Sequence, residues 1–249
     1  MHLGAGDIAG LAAAGFAAGA INSAAGGGSL ISFPTLVAVG YPAIVANVTN
    51  TVALCPGYLG GVLEYRRELA GQRPRLIPLT TVSIAGAVAG AALLGATSQA
   101  VFRAVAPALV LAACALLALQ PYVKRRLAHR GGHRRPVLAA QLPAAIYGAY
   151  FGAGLGVVVL AILAALVDDT LQRLNAAKAW LSLVINVVAA AWFIAFDSVK
   201  WEAVAVIAPA SLLGGPAGVF LARRLSDRAL RWSVVAFGIS ASAYLATTI

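Results

Sequence analysis

Charge is what this chain has least of. Charged residues make up 10% of 249, against about 25% in a soluble domain, so the polar surface that a water-soluble protein of this length needs is missing. Histidine is confined to the N-terminus (His2) and to one basic stretch (His129, His133), which excludes a histidine ligand set among the apolar segments. Cys55 and Cys114 both lie inside apolar runs with no CxxC, so they read as small buried hydrophobes rather than a metal or redox pair. No Walker motif is present, which argues against an ATP-driven pump by itself. No acid pair falls within the apolar runs either. A membrane-embedded enzyme would therefore lack both a nucleophile with its base and a metal set, and neither catalytic residues nor a cofactor are expected.

What is there is apolar. Hydrophobic residues reach 61% and mean hydropathy is +0.89. The runs Leu76–Ala96, Ala100–Leu119, Trp180–Phe196 and Val204–Ala222 approach the about 20 residues that cross a bilayer as helix, whereas a β-barrel would show short alternating segments. The chain reads as an all-α polytopic membrane protein with the lipid bilayer as its main partner. Its expected place is the cell membrane, multi-pass, and the inner membrane if the host has two. The start, MHLGAGDIAG, has no Lys or Arg and so lacks the basic beginning of a cleavable signal. The net charge of +10 sits in short loops between apolar runs, the pattern of topology signals rather than of a nucleic-acid face.

In order, Ile8–Ala24 is small and apolar, Leu30–Val39 is too short to span alone, and a helix is expected from about Ala43 to Leu63 with a kink at Pro56-Gly57. Glu64–Arg75 reads as a charged loop. Two apolar helices follow, Leu76–Ala96 and Ala100–Gln120, and then the most basic stretch, Pro121–Pro136, as an exposed loop. About ten helical segments are counted, eight or so of them membrane-spanning.

Shifted by 128 residues without gaps, the first half falls on the second. Gly26 and Gly28 meet Gly154 and Gly156, Asn47 meets Asn175, Gly86 and Gly90 meet Gly214 and Gly218, and Arg103 meets Arg231. This reads as a duplication: residues 1–122 as a first membrane repeat, 123–136 as a basic cytoplasmic linker, 137–249 as a second repeat. Arg66–Arg75 and Lys124–Arg135 are basic and expected inside. The counterpart of the first, Asp197–Glu202, carries only Lys200 and is expected outside, while Arg223–Arg231 is expected inside. The halves then lie in opposite orientations, an inverted-topology repeat as in secondary transporters. Each half would hold a glycine-broken helix pair, either as full crossings or as re-entrant segments.

Interrupted backbone at membrane depth is tolerated where it is buried in protein or lines a cavity. The short helices starting near Ser29 and Val157 would offer unpaired N–H groups and the positive end of a dipole to an anion, with Ser29 as a cap. Candidate substrate-binding residues are Asn22, Gly26, Gly27, Gly28, Ser29, Asn47, Thr49 and Asn50, with Gly154, Gly156, Asn175 and Lys178 from the second half. Asn47 and Asn50 share a helix face, as do Asn175 and Lys178. Two plainer accounts stand beside this one: close helix packing for the glycines and interhelical hydrogen bonding for the asparagines. Lys178 is open between lining the site and reaching the interface, or pairing with Asp168 or Asp169.

The segment Gly19–Gly61 resembles the sulfite exporter TauE/SafE family of membrane permeases, through Gly15–Asn22, Gly26–Gly28, Phe33–Leu36 and Ala46–Asn50, and, in the second half, Gly148–Gly156 and Asn175–Lys178. The resemblance implies a permease for a small organosulfur or related anion, such as sulfite or a sulfonate. The chain departs from the pattern at Leu155 and Val157, which leave the second segment fewer polar side chains. A small anion is thus the expected partner, with room for a homo-oligomer. The rival is a non-transporting membrane scaffold or assembly protein, for which small-residue helices and basic loops would suffice.

Overall fold

The computed structural model describes residues 3–24, 26–127, 134–222 and 227–248. Among these the chain forms α1 (Ala5–Ala24), α2 (Ser29–Ala38), α3 (Ala43–Glu64), α4 (Arg66–Leu69), α5 (Arg73–Gly95), α6 (Gln99–Leu127), α7 (Arg134–Tyr150), α8 (Leu155–Leu166), α9 (Leu171–Phe196), α10 (Trp201–Ala222) and α11 (Asp227–Thr248). The apolar runs and their Gly and Pro punctuation set these bounds. α3 begins at Ala43, directly after Pro42, and ends one residue beyond the expected Leu63, with Pro56 inside it.

Three expectations change. The charged stretch Glu64–Arg75 is not one loop: Arg66–Leu69 makes a helical turn, and α5 starts at Arg73, with Pro74 in its first turn where a missing N–H costs nothing. The basic stretch Pro121–Pro136 is mostly helical, because α6 continues to Leu127 and α7 begins at Arg134; residues 128–133 lie outside the described residues. So do residues 223–226 of the second basic loop. Finally, α8 begins at Leu155, two residues before the expected Val157.

Arg73–Gly95, Gln99–Leu119 and Leu171–Phe196 are each long and apolar enough to cross a membrane. Their outer faces are greasy: Ile77 of α5 is 65% exposed and Phe196 of α9 72%, as is Leu213 of the neighbouring α10 at 69%. The polar side chains Ser83 and Gln141, by contrast, are buried and hydrogen-bonded to each other at 2.9 Å. Apolar outside and polar inside is the arrangement a bilayer demands.

Small residues let these helices touch. α1 packs on α10 and α7 on α5. Gly15 and Gly19 of α1 lie on the backbone at Ile207 and Ser211, and Gly214 and Gly218 of α10 lie on the carbonyls of Phe16 and Ala20. In the other pair, Gly86 and Gly90 of α5 lie against Leu142, Ala145 and Ile146 of α7. Lipid tails supply no hydrophobic drive between helices, so this close backbone approach is what binds them. The glycines that coincide under the 128-residue shift do the same job in each pair. α3 and α9 pack on each other between the pairs; α6 packs on α8 and α11, and α11 on α2.

Candidate functional site

The chain leaves α1 at Ala24 and re-enters helix at Ser29; it leaves α7 at Tyr150 and re-enters at Leu155. Gly26 (φ +88°) and Gly154 (φ +72°) turn the two connections in the left-handed region, which favours glycine. The first connection meets the first turn of α8. A Cβ built on Gly26 would stand 2.5 Å from the Gly156 Cα, and one on Gly156 would stand 2.6 Å from the Gly26 Cα. Gly28 is as tightly placed, against the Ala18 carbonyl and the Asn22 side chain. Gly27 is different: its missing side chain would meet Leu117 at 3.5 Å and Leu30 at 3.6 Å, ordinary contact with apolar groups, so it faces no polar space.

Aromatic rings clamp the two segments. Phe33 of α2 meets Phe151 edge-on with centroids 5.4 Å apart, and Phe102 of α6 packs on both. Tyr147 braces the second connection by donating its hydroxyl to the Ala153 carbonyl at 2.6 Å. Phe33 and Phe151 fall in the segments that carry the family resemblance, whereas Phe102 and Tyr147 look like ordinary core in the sequence.

The helix ends are held by side chains from elsewhere. Asn22 Oδ1 accepts from the Gly28 N–H at 2.7 Å and so caps α2. Ser29 does not cap: it lies inside the first turn, one position too late, and Gly28 already has helical angles as the cap residue. The N–H groups expected to be unpaired are partly used, since those of Leu30 and Ile31 bond to the carbonyls of Gly27 and Gly28. At the other ends, Asn47 of α3 donates from Nδ2 to the Tyr150 carbonyl that ends α7, at 2.9 Å. Lys178 of α9 points its Nζ at the Ser23 carbonyl near the end of α1, at 3.5 Å. A cation at a helix C-terminus is favourable. In both cases the third helix of one half holds the end of the first helix of the other.

Lys178 is 2% exposed, so it does not snorkel to the interface. Asp169 is gripped by Arg75 and Arg173 at 2.9 and 3.0 Å. The Lys178 face of α9 continues with Ser182 and Asn186, both buried at helical spacing. Across from it Tyr58 is buried on α3, and Ser23 Oγ lies on Gly61 of the same helix. Asn22 Nδ2, Ser23 Oγ, Ser182 Oγ and Asn50 Oδ1 are buried with no hydrogen-bond partner among the described residues. The i, i+4, i+8 run from Lys178 through Ser182 to Asn186 was visible in the sequence; Ser23 and Tyr58 carried no such signal.

The remaining candidates divide. Asn47 and Asn50 are buried at the centre, and Asn175 is half-buried with its Oδ1 unpartnered. Thr49 leaves the group: its Oγ1 accepts from the Lys200 N–H at 3.1 Å, in the connection before α10. Being one residue off Asn50, it faces about 100° away on the helix.

Two links join the halves away from this centre. Tyr41 donates its hydroxyl to Glu202 at 3.2 Å. Burial first, then Glu202, pushes its phenol up to about 12. Asp169 takes Arg75 and Arg173, while Gln72 donates to the Arg173 carbonyl at 2.9 Å. Burial pulls the Asp169 carboxyl upward, but the Thr170 N–H, Arg173 and Arg75 outweigh it and hold it below the usual carboxylate range.

The cluster thus has one buried cation, several hydroxyl and amide groups with open valences, and the starts of two short helices. The acids named in the described chain all lie at helix ends or in connections. Such a set of groups favours an anion. The family model of the sulfite exporter TauE/SafE matches residues 11–245. Curated relatives include a probable membrane transporter protein of Sinorhizobium, 28% identical over 85% of this chain and 81% of the relative. Another, of Haemophilus influenzae, is 26% identical over 94% and 92%. The probable membrane transporter protein YfcA of Escherichia coli is 25% identical over 92% and 85%. No solved structure gives a match.

Proposed function

The chain belongs to the sulfite exporter TauE/SafE family, and on that premise we propose that it is a secondary transporter for a small organosulfur or related anion, sulfite or a sulfonate, and not an enzyme. The observation that carries this reading is the meeting of Gly26 and Gly156 beside the buried Asn22–Ser23–Lys178 group. Two connections that turn back into short helices aim the positive ends of α2 and α8 toward one place. The anion would take the open valences of Asn22, Ser23, Ser182 and Asn50, with its charge balanced by Lys178. Hydrogen bonds of that kind are strong where water is excluded.

Alternating access of two inverted halves completes the reading. Its support is the matched order of helices in the two halves, the exchanged packing of α1 on α10 and α7 on α5, and the two links. Tyr41 and Asp169 stand 128 residues apart, and their partners Glu202 and Arg75 stand 127 apart. Under inversion these are equivalent bridges on opposite faces, both closed in this structure, each to open in turn.

Purified protein in liposomes tests the proposal. Saturable uptake of radiolabelled sulfite or a sulfonate is the expected result. If no anion of a broad panel moves or raises the melting temperature, the scaffold reading replaces it.

A further inference from the structure

A cavity of about 600 Å³ lies between α5 and α9, lined by Leu69, Arg73, Leu76, Ile77, Thr80 and Trp180. Its size is that of a small-molecule site, yet it is far from the Gly26–Gly156 centre in character: almost all its wall is apolar, and its charge is at one end. Arg73 opens α5, and from there to Thr80 the helix rises about 10 Å, which is most of the roughly 15 Å thickness of one leaflet's hydrocarbon. Ile77, the strongly exposed residue midway, leaves the groove open to lipid along that length. Trp180 donates its indole N–H to Thr80 Oγ1 at 2.9 Å, so its polar handle is satisfied within the wall and its ring serves as greasy surface.

The mouth is basic. Arg66 and Arg67 stand on α4, the turn next to it, and Arg173 reaches the Ala70 carbonyl from α9 at 3.2 Å. One acid, Glu68, shares α4 with Arg66 and Arg67, and Asp169 is already matched by Arg75 and Arg173. A charged end at the interface with an apolar slot running inward is complementary to an acyl chain bearing an anionic headgroup.

We propose that this groove is a binding site for an anionic phospholipid, its phosphate on Arg73 and one acyl chain lying against Leu76, Ile77 and Trp180. The site is separate from the anion centre and does not depend on what the protein transports. It sits beside the Arg75–Asp169–Arg173 link, so an occupying lipid stands where the two halves are joined.

The test is quenching of Trp180 fluorescence in detergent micelles by phospholipids with brominated chains, read as wild type minus Trp180→Phe. Brominated phosphatidylglycerol is expected to quench at about fivefold lower mole fraction than brominated phosphatidylcholine, the advantage worth about 1 kcal/mol for one Arg at an anionic lipid. Arg73→Gln should remove that preference, and Arg73→Lys should retain most of it. Thr80→Phe, which fills the slot without adding a fluorophore, should sharply reduce quenching by both lipids; should that variant fail to fold, the exposed Arg73 variants still decide. Equal quenching by the two lipids in the wild type, or an unchanged preference in Arg73→Gln, overturns the proposal. Inorganic phosphate competing as well as the lipid would also overturn it, since the acyl slot would then contribute nothing.

Discussion

Gly26 and Gly156, 130 residues apart in the chain, press backbone to backbone where the connection before α2 crosses the first turn of α8. The contact joins the halves at the place where α2 and α8 begin. It also separates glycines that the sequence presents as equals: Gly26, Gly28 and Gly156 have no room for a side chain, while Gly27 has an ordinary apolar neighbourhood.

Gly26→Ala and Gly27→Ala should therefore behave differently. At Gly26 a side chain must accept a positive φ, which costs about 1–3 kcal/mol, and must also displace Gly156. The expected result is a lowered melting temperature and lost anion flux, with Gly27→Ala close to wild type in both. Equal behaviour of the two would remove the backbone contact from any role in transport.

Lys178→Gln keeps a donor for the Ser23 carbonyl but loses the charge. Hydrogen bonds to a charged group contribute about 1.5–3 kcal/mol, so anion affinity should fall roughly tenfold or more, while the melting temperature without anion changes less. Measured by half-saturation of flux, an unchanged affinity would leave Lys178 only as the partner of α1's end.

The Asp169 link predicts an acid dependence. Its carboxyl is held below the usual range of about 3.9. A group depressed in the folded state contributes stability that is complete above the unfolded value and lost as pH falls through the folded one. The pair is partly solvated, so its worth is roughly 1 kcal/mol. Asp169→Asn should lower the melting temperature at neutral pH, and the difference from wild type should shrink steadily as the pH is taken below the usual carboxylate range. A difference that persists there would mean the side chain acts by shape rather than charge.

Tyr41→Phe and Asp169→Asn should bias access in opposite directions if the two links are equivalent bridges. With Ser182→Cys as a reporter at the buried centre, an impermeant thiol reagent should label Tyr41→Phe more from one side of sealed vesicles and Asp169→Asn more from the other. Labelling raised from the same side in both would contradict the inverted arrangement.

Orientation has its own check. Cysteines placed at Arg66 and at Lys200, in a chain with Cys55 and Cys114 replaced by Ala, should react from opposite sides of the membrane. Reaction from one side only would refute inversion.

Most of the helix plan was legible without coordinates, because it follows from local physics. Apolar runs of bilayer length must be helical to satisfy their own backbone, and Gly40-Tyr41-Pro42 or the Gly26–Gly28 run must interrupt them. α3 came within one residue of its expected end for that reason. The cluster was legible in part. Asn22, Asn50 and Lys178 are all buried at the centre, and the face that carries Lys178 could be extended by period to Ser182 and Asn186.

Periodicity says which residues share a face, but not which helix stands opposite. Only the tertiary structure decided that α2 is capped by Asn22 and not by Ser29, that Thr49 bonds to Lys200, and that Lys178 turns inward to the end of α1. Each of those depends on a partner that the fold carries in, six residues away for Asn22 and more than 150 for the other two. The chain alone determined that there would be two glycine segments in a bilayer. That Gly26 would touch Gly156, and Gly27 only aliphatic side chains, was set by how closely two backbones could approach.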